Sequence, residues 1–242
     1  MKFLTFAFNT LVATALAQEN KFTYERLDRN NSGHRSNKTQ LVLVVDIQDG
    51  LFQLTRDTDP HVYRASALAH AELGKVFDLP VILTTSTETG PTGPLFQEIA
   101  DQYPEAPFIK REGEINAWDN EAFREAVKAT NKTQIIIAGI ATDVCTAFLA
   151  LSLREAGYSV WANGEASGTY STFVRDMANS RMEKAGIQVV SFFSIVGELM
   201  RDHRGEYGAE RVNPLFTKYF PLLGILTRGH NAAVRNGTIA PV

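Results

Sequence analysis

The sequence predicts an α/β fold, a doubly wound and mostly parallel sheet of six strands with helices on both faces. Three observations carry that reading. Residues 41–45 and 135–137 are apolar without alternation, as in strands buried on both faces at the centre of a parallel sheet. Strand patterns and helical patterns then alternate along the chain. Finally, polar residues gather just after the strands, at the rim where open sheets hold their ligands.

Before the first strand, the chain opens with Met1-Lys2, an apolar run over 3–16 and the small-residue sequence Ala15-Leu16-Ala17, the pattern of a secretory signal peptide spanning 1–17. Residues 18–40 follow as a polar, flexible leader with few apolar anchors. Asn-x-Ser/Thr patterns at Asn30, Asn37, Asn131 and Asn236 are glycosylation acceptors consistent with a secreted protein. In that compartment a single cysteine has no internal disulfide partner, so the Cys145 thiol is buried, paired between chains or kept for chemistry.

Within the domain assigned to residues 41–201, Asp46 ends the first strand and a loop with Asp49 and Gly50 follows. Such an aspartate caps a turn as often as it does chemistry. Pro60 opens a helix whose apolar face is Val62, Ala65, Ala69, Leu73 and Val76. The next strand covers 81–83, and the Thr-, Gly- and Pro-rich loop 84–94 is long enough to wall a pocket. A short strand at 106–109 ends at Lys110 and Arg111, adjacent cations that in most proteins are simply solvated. Because neighbouring strand residues face opposite ways, one of the two points inward. Asn116 and Trp118 lead into a helix over 120–129.

The central stretch is 134–148. Its apolar strand stops at Gly139, and helical spacing begins at Thr142, which places Cys145 on a strand-to-helix elbow. A lone cysteine is more often a small buried hydrophobe than a reactive group. At an elbow, though, unpaired N–H groups and the helix dipole favour thiolate, so an activated thiol is expected. A strand over 158–162, a polar loop over 163–168, a helix over 171–184 and a strand over 187–191 complete the sheet. Residues 202–242 form a C-terminal extension, and its apolar cluster Leu215, Phe216, Tyr219, Phe220, Leu222, Leu223, Ile225 and Leu226 either packs on another subunit, as an oligomer contact, or folds back on its own domain.

The net charge of −3 matches no basic nucleic-acid surface, and past the signal no apolar run approaches the ~20 residues of a membrane span, so neither partner is expected. Asp46 after the first strand, a cation after the third and Gly139-Ile140-Ala141-Thr142-Asp143-Val144-Cys145 at the fourth resemble the isochorismatase-like cysteine hydrolases. Thr84-Thr85-Ser86 with Glu88-Thr89-Gly90-Pro91, Ile115-Asn116-Ala117-Trp118-Asp119-Asn120 and Ala166-Ser167-Gly168-Thr169 are similar to the YcaC-type branch. The likeness runs over about 41–226.

The resemblance implies a three-layer, Rossmann-like fold and a catalytic triad of Asp46, Arg111 and Cys145, with Lys110 the alternative cation. It also implies a cis peptide between Ile140 and Ala141, an oxyanion hole from the N–H groups of Ala141 and Cys145, and a ring-like homo-oligomer with an octamer among the options. Phe52, Thr84, Glu88, Asn116 and Trp118 would line the pocket. The metal-binding nicotinamidases of the superfamily carry an Asp-x-His cluster and a further His after the second strand. Here that region reads Thr84-Thr85-Ser86-Thr87-Glu88, and His61 and His70 sit on the preceding helix, so neither metal nor cofactor is expected. Hydrolysis of a small amide or carbamoyl substrate through a thioester is the expected chemistry. Isochorismate cleavage, an enol-ether hydrolysis that releases pyruvate, and an idle assembly protein are the rival readings.

Overall fold

A computed structural model describes residues 25–27 and 39–240. The signal peptide, most of the leader, Asn30 and Asn37 lie outside these residues. Six strands, β1 (Gln40–Val45), β2 (Val81–Ser86), β3 (Phe108–Arg111), β4 (Gln134–Gly139), β5 (Ser159–Asn163) and β6 (Gln188–Val190), form one sheet in the order β3-β2-β1-β4-β5-β6, with every neighbouring pair parallel. The helices are α1 (Asp49–Phe52), α2 (Pro60–Phe77), α3 (Gln97–Gln102), α4 (Glu121–Ala129), α5 (Ala147–Glu155), α6 (Thr172–Lys184), α7 (Phe192–Met200), α8 (Ala209–Tyr219) and α9 (Pro221–Arg235).

The unbroken apolar runs of β1 and β4 are explained by burial on both sides. Val42, Val44 and Ile136 join Tyr63, Ala67 and Leu73 of α2 and Ile195 and Leu199 of α7 in one core. Leu41, Leu43, Val45, Ile135 and Ile137 join Phe123, Leu149, Leu153 and Met182 from α4, α5 and α6 in the other. Pleat alternation therefore feeds two layers from one strand.

The strand order reverses between β1 and β4. After β1 the chain builds outward through β2 and β3, then returns to the other side of β1, so the carboxyl ends of β1 and β4 diverge over a crevice. Gly139 keeps these two ends close. It pairs with Val45, and a Cβ at this position would lie 2.0 Å from the Val45 carbonyl oxygen.

The C-terminal residues divide between the two alternatives that the sequence leaves open. Val212, Leu215, Phe216 and Tyr219 of α8 are buried in the chain's own core beside α2, and the packing is reinforced by Lys218 and Tyr219 bonding Glu72 (2.7 and 2.6 Å) and by Arg211 pairing with Asp78 (2.9 Å). Residues up to 219 thus belong to the domain rather than to a detached extension. On α9, by contrast, Leu222, Ile225 and Leu226 are exposed.

Candidate active site

Asp46 is the first residue past β1, in the left-handed region (φ 53°), and its side chain is fully buried. Aspartate tolerates that conformation better than most residues. Its N–H donates to Thr84 O across the neighbouring strand (2.9 Å), which holds the turn in place. Arg111 is the last residue of β3, and it reaches Asp46 beneath β2. Its Nη2 donates to Asp46 Oδ1, Nε to Thr84 Oγ1 (3.1 Å), and Nη1 to the carbonyls of Glu114 and Ile115. The guanidinium is therefore bonded on every nitrogen at 2% residue exposure.

Lys110 points the other way, as strand alternation requires. Its Nζ pairs with Glu88 at 2.7 Å on an exposed face and lies over the Phe108 ring. The cation that faces Asp46 is thus Arg111. Both residues lie within β3 rather than beyond it.

Cys145 sits in a single π-helical turn, Thr142–Thr146, that joins β4 to α5, just after a cis peptide between Ile140 and Ala141. The Cys145 thiol faces the Asp46 carboxylate, each shifting the other's titration, and the Ala141 backbone lies against the sulfur. Asp46 Oδ2 is buried with no hydrogen-bond partner among the described residues.

This environment overturns the expectation of a standing thiolate. Burial first, and then the negative charge of Asp46, push the thiol up to about 12, against the weaker opposing pull of the Ala141 N–H and Arg111. Withdrawal from water outweighs the elbow's dipole here. Burial also raises the Asp46 carboxyl, opposed by Arg111 and by the neighbouring thiol. The arrangement is a neutral thiol held against a carboxylate whose basicity burial has increased, which is the geometry for proton removal during attack rather than before it.

The expected pocket residues separate by what they touch. Thr84 orients the Arg111 guanidinium and itself donates to Ile109 O (2.8 Å). Trp118 packs edge-on against Tyr158 and shares an apolar cluster with Cys145. Phe52 stacks on Tyr63 (5.8 Å) and abuts Phe96, in the cluster that includes Val144. Asn116, by contrast, caps the 3-10 turn at Ala117–Asp119 and donates to Ser152 Oγ (2.9 Å), while Glu88 is engaged with Lys110, so both are tied into the scaffold. His70 is buried, with Nε2 against Leu43 O (3.0 Å). Among the described residues no group of three or more His, Cys, Asp and Glu side chains is placed to hold a metal ion.

The sequence reading singles out the loop after β5 by its composition and its Ala166-Ser167-Gly168-Thr169 motif but assigns it no role in the site. Gly168 pairs in parallel with Ile140, its N–H donates to Gly139 O (3.2 Å), and its carbonyl accepts from Thr142 N (3.0 Å). A side chain cannot enter there, since a Cβ on Gly168 would lie 2.6 Å from Thr55 and 2.9 Å from Tyr63. Next, Thr169 Oγ1 donates to Asp143 Oδ1 at 2.7 Å. Tyr170, half-exposed, stands near Asp143 and Cys145, and partial burial followed by the Asp143 carboxylate raises its phenol. The sequence marks 163–168 as a polar loop at a strand end, but nothing in it says which neighbour the loop grips.

Comparison with known proteins agrees with this geometry. The isochorismatase domain family matches residues 40–192. The probable hydrolase YcaC of Escherichia coli is 46% identical over 198 residues, 82% of this chain and 90% of that protein. The crystal structure of that protein, described as an octameric hydrolase of unknown specificity, superposes with a TM-score of 0.81, covering 87% of this chain and 98% of that one. YcaC from Pseudomonas aeruginosa, solved with hexane-2,5-diol and covalent acrylamide, gives a TM-score of 0.80 at 45% identity over 87% and 99% of the two chains. A secreted isochorismatase effector of Phytophthora sojae is 25% identical over 173 residues, 68% of this chain and 78% of that protein.

Proposed function

The chain belongs to the isochorismatase domain family, with YcaC-type hydrolases among its relatives, and from that premise we propose that it is a cysteine hydrolase of small amides or carbamoyl compounds. The observation that carries the reading is the Cys145 thiol beside a fully buried Asp46 that is paired with Arg111. In the proposed reaction, Asp46 takes the thiol proton as Sγ attacks the substrate carbonyl carbon. The oxyanion of the tetrahedral intermediate is stabilised by the Ala141 and Cys145 N–H groups, one such donor being worth about 3 kcal/mol in well-studied hydrolases. Asp46 then returns its proton to the departing amine, which leaves a thioester. Next, Asp46 deprotonates a water that attacks the thioester carbonyl, releasing the acid and the free thiol. Arg111 holds the carboxylate and does not touch substrate.

One further feature supports an amide over a dianionic substrate. Arg111 has every nitrogen engaged by protein acceptors and offers nothing to a substrate carboxylate. A relative at 45% identity carries covalent acrylamide, an electrophilic alkene, which supports a reactive nucleophile in that protein and leaves its substrate open. Isochorismate cleavage is the second reading, favoured by the name of the Phytophthora relative. We also read the protein as secreted, glycosylated at exposed Asn131 and Asn236, and assembled as a ring-like homo-oligomer, as the octameric relative suggests.

A panel of small amides, carbamoyl compounds and isochorismate, assayed on wild type and Cys145→Ala, tests the proposal. Amide hydrolysis that disappears in Cys145→Ala is expected. Pyruvate release from isochorismate that survives the substitution would reject it.

A further inference from the structure

Thr169 lies outside the Asp46–Arg111–Cys145 cluster, yet two separate segments converge on it. It is completely buried. Its N–H donates to Asp57 Oδ1 (3.0 Å), its carbonyl accepts from Arg56 N (2.8 Å), and its hydroxyl donates to Asp143 Oδ1 (2.7 Å). The two backbone bonds fix the residue to the segment after α1 without help from the hydroxyl. The hydroxyl is then free to do one thing, which is to hold Asp143.

Asp143 is the second residue of the π-helical turn that carries Cys145. That turn has no side-chain cap at its start, and only Ile140 and Ala141 separate it from the end of β4. Its first residue, Thr142, is held by a backbone bond to Gly168 O, and its second by Thr169 Oγ1, so the loop after β5 grips the turn at two successive positions just before the nucleophile. A turn with a single π-type repeat has little stability of its own and takes its shape from such outside bonds. We propose that Thr169 is a positioning residue, whose hydroxyl, through Asp143, sets the placement of the Cys145 thiol against Asp46. The proposal rests on the reading of Cys145 as the nucleophile.

The test compares wild type, Thr169→Val and Thr169→Ser. Valine keeps the shape and removes only the hydroxyl, whereas serine keeps the hydroxyl. Acrylamide is the probe, with the rate of Cys145 modification followed by intact mass. Amide exchange in peptides covering residues 140–147, read by mass spectrometry, reports the turn itself, and thermal unfolding reports the fold. Thr169→Val is expected to slow alkylation by at least about tenfold and to raise exchange in these peptides, in line with the sensitivity of reactions to small misplacements. Its unfolding midpoint should stay close to wild type, and Thr169→Ser should restore both the rate and the protection. Unchanged alkylation or unchanged exchange in Thr169→Val would overturn the proposal. So would loss in the serine variant, or a slow rate explained by a lowered unfolding midpoint, since either marks a merely structural residue. If wild-type Cys145 is inert to acrylamide, the nucleophile reading fails, while the exchange arm still decides whether the hydroxyl holds the turn.

Discussion

Replacing Arg111 by alanine should damage the protein twice over, and replacing its neighbour Lys110 should do almost nothing. Arg111→Ala strands the fully buried Asp46 carboxylate without its ion-pair partner, and it also removes the donors that Thr84 Oγ1 and the Glu114 and Ile115 carbonyls accept from. Breaking one side of a buried pair costs about 3–5 kcal/mol. Lys110→Ala removes an exposed pair with Glu88, worth about 0–1 kcal/mol. Urea unfolding should separate the two variants by several kcal/mol. Chemistry should divide the same way. With the guanidinium gone, the main pull that opposes burial at Asp46 is lost, its carboxyl rises further, and the matched transfer of the thiol proton is disturbed. Loss of a general base lowers rates by about a hundredfold or more, so Cys145 modification in folded Arg111→Ala should fall by that order. Arg111→Lys, which keeps a charge but not the fork of donors, guards against simple misfolding and should lie between. Equal effects of Lys110→Ala and Arg111→Ala on stability and alkylation would refute the assignment of the buried cation.

Two further expectations follow from groups away from the thiol. Burial holds His70 down at about 4, below the ordinary 6.5, so the folded state disfavours its protonation. Stability is then complete above pH 6.5 and falls as pH drops from 6.5 towards 4, by about 3 kcal/mol across that window. Chemical denaturation at pH 7 and pH 4.5 should show the loss, and His70→Gln should flatten it; an equal slope in both proteins would contradict the argument. On α9, Leu222→Glu with Leu226→Glu should shift the assembly to smaller species in light scattering without lowering the unfolding midpoint, because both side chains are exposed in the single chain. A wild-type monomer at micromolar concentration would remove the homo-oligomer.

Much of the scaffold is legible in the sequence because burial on two faces leaves a simple mark. The unalternating runs of β1 and β4 can lie only at the centre of a covered parallel sheet, and the residues that follow them, Asp46 and the 140–145 segment, are thereby brought to one rim. Strand pleating also states that Lys110 and Arg111 face apart. It does not state which faces in, since that depends on the register of β3 against β2, where Arg111 pairs with Ser86 and Lys110 with Thr85. The thiol was misread for a different reason. A helix start is visible in sequence, whereas the enclosure that drives the thiol upward comes from residues distant in the chain. The apolar residues of α8 and α9 look alike in sequence, and only packing against α2 distinguishes those that belong to the core. The Thr169 contact is similarly invisible, because a threonine beside a glycine carries no sign of an aspartate 26 positions earlier.

The central claim is that Cys145 becomes acylated during turnover. Native protein mixed with a small amide that it hydrolyses, quenched in acid within the first turnovers and weighed intact, should carry the mass of one acyl group, mapped to Cys145 by peptide digestion and absent from Cys145→Ala. Turnover that proceeds with no adduct on Cys145, and that persists in Cys145→Ala, would contradict the account.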